Sequence, residues 1–206
     1  MAAARAMWAG IAAPVVFVSV FVVEGWLRVG YDSRSMYISA LALGPRGWVQ
    51  ILNFLIFGVL LLVFVRGIAG DGSWRVGRAL LMAIALGLLV IGPFVMDPVG
   101  TSRSMRSVHG MVHGSVSRIV LVLMPASCFE FGRMFRRAAG WGWLGWFSLA
   151  AGTITAIAVV VLGVATSVGS MLNVFGPWLG AIQRVAVVSF MVWLFGFAVR
   201  LRKAGI

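Results

Sequence analysis

The two histidines of the chain, His109 and His113, lie four residues apart in the stretch SVHGMVHGSVSR, residues 107–118. On an α-helix this spacing places both side chains on one face, together with Ser117. Such a pair beside a carboxylate can bind a metal such as zinc, or one histidine can act as a general acid or base. In a third interpretation, the histidines only hydrogen-bond to neighbouring helices. The sequence leaves all three open.

The candidate carboxylates are Asp97 and Glu24, which with His109 and His113 form the candidate catalytic set. The candidate metal set is His109, His113 and Asp97, with one coordination position left for water. The pattern lacks the intervening glutamate of the HExxH motif, which is a far more specific zinc signature. A haem held by this pair alone is not expected, because axial ligands approach the ring from opposite sides. The sequence assigns no cofactor, and the possible cofactor to test is zinc or another divalent metal.

Composition indicates that these residues are held by a membrane bundle. Hydrophobic residues make up 62% of the 206 residues and charged residues 11%, and mean hydropathy is +1.05. A soluble domain carries about 25% charged residues. The apolar residues also form blocks close to the ~20 needed for a membrane-spanning helix. Basic residues stand mostly between these blocks, without the arginine and aromatic face that follows a phosphate backbone, so nucleic-acid binding is not expected.

The apolar blocks predict an all-α, six-helix transmembrane bundle that forms a single domain over residues 1–206. Helices are expected because backbone groups in lipid must be hydrogen-bonded within the segment. The predicted spans are about 7–27, 48–66, 79–96, 108–131, 142–165 and 177–199. Pro14, Pro93 and Pro125 mark expected kinks or helix ends. The long connection 28–47 contains SMYISALALG, which predicts a short interfacial helix or a re-entrant turn.

The basic residues predict the orientation of this bundle. Of the 17 arginines and lysines, ten lie at one set of span ends and five at the other. The remaining two, Arg118 and Arg184, lie inside spans. Because cytoplasmic loops carry the excess of positive charge, both termini are expected in the cytoplasm.

With this orientation, the intramembrane polar residues cluster in the outer half of the bundle. Charged groups in a membrane usually face the bundle interior or a wet cavity, so a polar pocket open to the outer side is predicted. The candidate ligand-binding residues are Arg103, Arg106, Arg118, Arg184, Asn53, Ser117 and Gln183. The alternative is a purely structural network in which Glu24 and Asp97 balance the embedded arginines. The inner half of the bundle carries almost no strongly polar side chain, which argues against a channel or a proton-coupled carrier.

Three motifs resemble the bacterial six-helix membrane family known only as domain of unknown function nine-ninety-eight. They are SMYISALALGPRGWVQILNF after the first span, DPVG after the third and VHGMVHGSVS at the start of the fourth. They place Ser39, Asp97, His109 and His113 around the predicted pocket. The resemblance extends over essentially the whole chain and implies a six-helix bundle in the bacterial inner membrane. It implies no particular reaction.

The favoured function is binding or handling of a lipid or other amphiphilic molecule in the outer leaflet. The alternative is an intramembrane enzyme, either a metal-dependent hydrolase or an acid–base isomerase or cyclase with an apolar substrate. A second alternative is an accessory subunit of a larger membrane complex, or a homo-oligomer. For that role, the small-residue faces Gly110/Gly114 and Gly176/Gly180 would supply helix contacts.

Overall fold

The computed structural model describes residues 2–68 and 74–205, and within these ranges every regular element is helical. The side chains of residues 2–4, 103, 169 and 170 lie outside this description. The α-helices are α1 (Ala2–Leu27), α2 (Gly47–Gly67), α3 (Arg75–Ile91), α4 (Val108–Arg137), α5 (Gly142–Ser167), α6 (Gly169–Phe175) and α7 (Leu179–Ala204). Short 3-10 helices cover Ile38–Leu43, Arg103–Met105 and Gly176–Trp178. The predicted all-α class is confirmed.

Five stretches in these ranges are long and apolar enough to cross a membrane. They are Arg5–Leu27, Gly47–Gly67, Val108–Arg137, Gly142–Ser167 and Met171–Ala204. The last of them combines most of α6, the following 3-10 turn and α7. These helices support a multi-pass membrane protein, whereas a sixth span and the cytoplasmic placement of both termini stay predictions.

The helix that differs most from its predicted span is α3. A span over about 79–96 was expected, but the helix covers Arg75–Ile91, which is 17 residues. Pro93 accounts for the early end, because proline has no backbone N–H to continue the hydrogen-bond ladder and its ring collides with the preceding turn. By contrast, Pro14 lies inside α1 and Pro125 inside α4.

The long helices form a closed ring. Each packs against the next in the order α1, α2, α3, α4, α5 and α7, and α7 returns to pack against α1. Glycines allow close approach at these contacts. A Cβ at Gly87 of α3 would lie 2.4 Å from Val120 Cγ2 of α4, and one at Gly58 of α2 would lie 2.9 Å from two side-chain carbons of Leu89 of α3. The ring therefore depends on apolar packing with little spare room.

One end of the ring is filled by aromatic side chains, and we call it the aromatic end. Its central rings are Trp74, Phe131, Phe135, Trp193 and Phe197. The Phe131 and Phe197 ring centroids are 4.7 Å apart. Such offset and tilted ring pairs are favourable in addition to the area they bury.

The opposite end is covered by the connection between α1 and α2, residues 28–46, which we call the lid. Its 3-10 helix Ile38–Leu43 is present where a short helix was predicted, and residues 38–41 are buried. The lid packs against α1, α2 and α7. It therefore closes one end of the space inside the ring.

Candidate functional site

A cavity of about 50 Å³ lies inside the ring beneath the lid. Four polar side chains from three elements line it, namely Ser39 of the lid, His113 and Ser117 of α4, and Gln183 of α7. The other described lining residues are apolar: Phe17, Ile38, Phe54, Phe57, Leu88, Ile91, Val120, Leu121, Met124, Val187 and Met191. The cavity thus combines a small polar side with an apolar wall.

His113 is the titratable group of this cavity. It is 4% exposed, and its Nδ1 lies 2.7 Å from the carbonyl oxygen of Phe94. A carbonyl oxygen only accepts hydrogen bonds, so Nδ1 carries the proton and donates. In the neutral ring, Nε2 is then the nitrogen with a free lone pair. His113 therefore brings a hydrogen-bond acceptor and potential base to the cavity.

Of the predicted histidine stripe, only part faces the cavity. His113 and Ser117 line it, whereas His109, one turn earlier, is exposed. The His109 ring lies 5.1 Å from the Phe94 ring, centroid to centroid. Phe94 thus contacts both histidines, through its ring on one side and its carbonyl on the other.

Asp97 stabilises the start of α4. Its Oδ1 accepts a hydrogen bond from Ser107 Oγ at 2.7 Å, and its Oδ2 accepts one from Ser107 N at 3.1 Å. Ser107 Oγ in turn accepts from Gly110 N at 2.9 Å, which caps the helix. A Cβ at Gly110 would lie 2.0 Å from Asp97 Oδ2, so only glycine leaves room for the carboxylate there. The carboxylate is used for capping.

The candidate metal ligands His109, His113 and Asp97 are not brought together. Among the residues that the structure describes, no group of three or more His, Cys, Asp or Glu side chains is placed to hold a metal ion. His113 is bonded to a backbone carbonyl, His109 is exposed and Asp97 is bonded to Ser107. The geometry thus gives a metal site no support.

Glu24, the other candidate carboxylate, forms an ion pair with Arg46 at the end of the lid. Arg46 donates from Nε to Oε2 at 3.0 Å and from Nη2 to Oε1 at 2.6 Å. Glu24 is 6% exposed. The expected balance of Glu24 and Asp97 against Arg118 and Arg184 is therefore not found, because both acids have partners outside the spans.

Arg184 of α7 binds the backbone of the lid. Its Nη1 donates to Ser33 O at 2.5 Å, to Met36 O at 2.9 Å and to Gly180 O at 3.0 Å. Its Nη2 donates to the Tyr31 hydroxyl, which donates to Tyr37 O at 2.9 Å. Burial raises the pKa of Tyr31, so the phenol remains a donor at neutral pH. Arg184 is thus occupied with protein groups.

The other predicted anion-binding arginines also lie outside the cavity lining. Arg118 is exposed on α4 and donates from Nε to Gly114 O at 2.9 Å. Arg106 is exposed at the end of the 3-10 turn Arg103–Met105. The side chain of Arg103 lies outside the described part of the chain. The arrangement places no arginine guanidinium among the described residues that line the cavity.

Two buried amides on α2 stand beside this region. Gln50 and Asn53 are 0% and 2% exposed. Asn53 Nδ2 donates to Phe17 O at 3.1 Å and to Gln50 Oε1 at 3.4 Å. Gln50 Nε2 and Asn53 Oδ1 are buried without a hydrogen-bond partner. Asn53, a predicted ligand-binding residue, joins α2 to α1 and is not among the described residues that line the cavity.

In each of the two predicted small-residue faces, one glycine is covered by the chain and the other is not. Gly110 and Gly180 are covered by the chain itself, by Asp97 and by the carbonyl oxygens of Met36 and Ser33. A Cβ at Gly114 or Gly176 would meet nothing within 4 Å. Neither pair therefore forms a continuous small-residue face, and the protein partner suggested for these faces stays a prediction.

The sequence did not reveal the contacts that hold the lid in place. Tyr31 and Arg28 were not predicted as site residues, although Arg28 donates from Nη1 to Ala40 O. Arg46 was considered only as a residue of a head-group-binding loop, whereas it binds Glu24. The available signal was the density of arginine and tyrosine between the first two apolar blocks. Ser39 came to attention only through the resemblance of its motif.

The fold and the site define an α-helical, multi-pass membrane protein with a polar-sided cavity inside its ring of helices. The chain belongs to the family described as "Protein of unknown function (DUF998)", which matches residues 11–200. This confirms the family resemblance. No curated protein and no solved structure matches the chain. The matched range includes every described residue that lines the cavity, and function is therefore argued from that cavity.

Proposed function

We propose that this membrane protein binds an apolar or amphiphilic molecule whose neutral hydrogen-bonding group, a hydroxyl or a carbonyl, enters the cavity. The observation that carries the proposal is the grouping of Ser39, His113, Ser117 and Gln183 on one side of an otherwise apolar cavity. Buried polar groups are stabilised only when they are paired. A ligand oxygen would pair with these side chains while its hydrocarbon contacts the apolar wall.

The charge of the cavity favours a neutral group over an anion. None of its described lining residues carries a permanent charge. Arg184 donates to lid carbonyls, and Arg46 pairs with Glu24. An anion transferred to such a site would lose its hydration without gaining a cation. The predicted anion contacts are therefore replaced by hydrogen bonds to a hydroxyl or carbonyl.

The size of the cavity limits what enters it. Ligand pockets usually measure about 300–1,000 Å³, whereas this cavity measures about 50 Å³. A water needs roughly 10–15 Å³ by this kind of measure, so the space suits one small polar group. Met124 and Met191 line the wall, and methionine side chains adapt readily to a new neighbour. The body of the ligand would lie against such adaptable apolar side chains.

Photolabelling in nanodiscs tests this proposal. The probe is hexadecanol that carries a diazirine, with palmitate carrying the same group as the anionic comparison. Labelling is expected on α4 and α7 beside the cavity, and unlabelled hexadecanol should compete better than palmitate. Preferential competition by palmitate would contradict the neutral-group assignment.

A pair of matched variants locates the site. Ser117→Phe fills the cavity, whereas Ser115→Phe places the same ring on the exposed face of α4. The first should lower labelling about tenfold, equivalent to about 1.4 kcal/mol of binding free energy. The second should leave it unchanged. Equal labelling of both variants and the wild type would overturn the proposal.

A second candidate function is acid–base catalysis, and the free Nε2 lone pair of His113 in an apolar cavity favours it. Nε2 would accept a proton from the carbon beside a carbonyl and return a proton to the same or a conjugated carbon, with no other reactant. The test is incorporation of solvent deuterium into a long-chain ketone. His113→Asn retains an N–H close to the position of Nδ1 and removes Nε2, so it should abolish exchange. No exchange above the protein-free rate in the wild type would exclude this candidate.

A further inference from the structure

A ligand needs a route into the cavity, and the lid differs from the other walls in how it is held. Ile38 and Ser39 of the lid line the cavity directly. The helix walls meet through apolar side chains and glycines, as at Gly87 and Val120, where a Cβ would lie 2.4 Å from the neighbouring side chain. Separating such helices removes the packing contacts between them, and lipid tails then have to replace those contacts.

The lid packs on the core through Ile38 and Leu41 and on α7 through Tyr37, but unlike the helix walls it is also fastened to α7 by several polar contacts. Arg184 donates to Ser33 O at 2.5 Å and to Met36 O at 2.9 Å. Ala181 N donates to Arg34 O at 2.8 Å. A Cβ at Gly180 would lie 2.3 Å from Met36 O, so the lid rests directly on the α7 backbone. Water or lipid head groups can replace polar contacts of this kind when the lid moves.

The α1 side of the lid is fastened in the same manner. Arg46 forms two hydrogen bonds with Glu24, at 2.6 and 3.0 Å. Arg28 donates to Ala40 O within the lid. The Arg46 side chain is 59% exposed, so one partner of this ion pair already contacts the surroundings. The lid is thus the wall that is held in part by polar contacts, which water or lipid head groups can replace.

Gln183 connects the lid to the cavity. Its Oε1 accepts a hydrogen bond from Ile38 N at 2.8 Å, and the residue also lines the cavity. Its Nε2 carries two further donors. A ligand oxygen that accepts from Nε2 would fix the amide with Oε1 directed at Ile38 N–H. Ligand binding would therefore strengthen a contact that holds the lid closed.

We propose that the lid is the entrance of the cavity and that Gln183 couples occupancy of the cavity to closure of the lid. This inference rests on the proposed function, because it concerns the route to the same cavity. The expected sequence is release of the contacts with Arg184 and Ala181, entry of the hydroxyl or carbonyl, and closure through Gln183 and Ile38.

An engineered disulfide provides the test. The hydrogen bond between Arg34 O and Ala181 N brings these residues close to the separation of ~4.4–6.8 Å between Cα atoms at which disulfides form. An Arg34→Cys/Ala181→Cys pair therefore locks the lid under oxidation and releases it under reduction. Cys128, the only natural cysteine, is buried and does not compete. Arg34→Cys alone is the matched control.

The readout is labelling by diazirine hexadecanol in nanodiscs. The locked protein should be labelled about tenfold more slowly, corresponding to an additional barrier of about 1.4 kcal/mol, and reduction should restore the rate. Equal rates in the locked and reduced protein would overturn the lid entrance and leave cavity binding intact. Absence of labelling in the reduced protein would instead overturn the proposed function.

Two single variants test the contacts of Arg184 and Gln183 with the lid without a disulfide. Arg184→Met removes the contacts to Ser33 and Met36 and should raise the initial labelling rate several-fold. Gln183→Met removes the bond to Ile38 and should speed release of the bound probe. Arg118→Met, on the exposed face of α4, is the control and should change neither rate. Unchanged rates in both Arg184→Met and Gln183→Met would overturn the coupling between occupancy of the cavity and closure of the lid.

Discussion

The two ends of the helix ring differ in what fills the space at the centre of each. At the aromatic end, Trp193 Nε1 donates to Ser148 Oγ at 2.8 Å, and Ser148 Oγ donates to Leu144 O at 2.7 Å. Beneath the lid, Gln50 Nε2 and Asn53 Oδ1 are buried without partners, beside a cavity. The centre of the first end is filled by rings, and Arg78 Nε and Arg200 Nε at its margin also lack partners. The second end holds a cavity inside the ring and unused hydrogen-bonding capacity on two buried amides.

This difference separates stability from function along the bundle axis. Protein interiors gain stability from dense packing, and a void removes contacts from the atoms that line it. The aromatic end follows that rule, with the Phe131, Trp193 and Phe197 rings fully buried. The lid end departs from it where Ser39, His113, Ser117 and Gln183 meet. Function is expected at the lid end, where polar side chains line a cavity inside the ring.

The largest expected effect is at the aromatic end. Phe197→Ala removes a ring that contacts Phe64, Trp74 and Phe131, and it should lower the free energy of unfolding by about 3–5 kcal/mol. Phe195→Ala, at a position that is 41% exposed, is the control and should cost far less. Unfolding of the purified protein in mixed micelles measures both. Equal losses would contradict the assignment of the aromatic end as the main source of stability.

A smaller effect is expected from serine variants at the two ends. Ser148→Ala leaves the buried Trp193 N–H unpaired and should cost about 1–3 kcal/mol. Ser117→Ala, at the cavity, should change the unfolding free energy by less than about 0.5 kcal/mol and should instead weaken labelling by diazirine hexadecanol. Thermal unfolding combined with labelling separates the two roles. The reverse pattern would mean that Ser117 is structural.

The smallest expected effect is a pH dependence of the lid. Hydrogen bonds from Ser35 Oγ at 2.6 Å and from Arg34 N at 3.0 Å lower the pKa of Asp32. Because the pKa is lowered in the folded state, this stabilisation is present above the unfolded pKa and is lost as pH falls through the folded value. Amide hydrogen exchange at residues 33–36, corrected for intrinsic rates, should therefore rise on acidification, while exchange around Phe131 stays constant. Asp32→Asn should remove the dependence, and a wild-type profile that matches the variant's would disprove this role.

The sequence predicts the helices well because hydropathy and helix breakers determine them locally. The spans near 48–66 and 142–165 agree closely with α2 and α5, at Gly47–Gly67 and Gly142–Ser167. The span predicted over 79–96 continued past Pro93, and that proline ends α3 early. The orientation of the termini stays a prediction from the distribution of arginine and lysine.

The site is less predictable because its contacts join distant parts of the chain. The spacing of His113 and Ser117 places them on one face, and both line the cavity. The same spacing cannot show that His109, one turn earlier on the same face of α4, lies outside the cavity and is exposed. Nor does it reveal the partners of Arg184, which lie about 150 residues earlier in the lid. Those contacts depend on how a connection folds back over the bundle.

The order of the ring has a consequence for how the protein is made. From α1 to α5 each helix can pack on the one synthesised just before it, whereas the contact of α1 with α7 joins the two ends of the sequence. A chain emerging from the ribosome therefore has an open seam until α7 is inserted. Gln183 and Arg184 belong to that last helix. The cavity therefore gains its final wall in the same late step in which the lid gains its contacts with these two residues. Until then, the faces of α1 and α5 that α7 later covers are both open, and the face of α1 stays open the longer of the two.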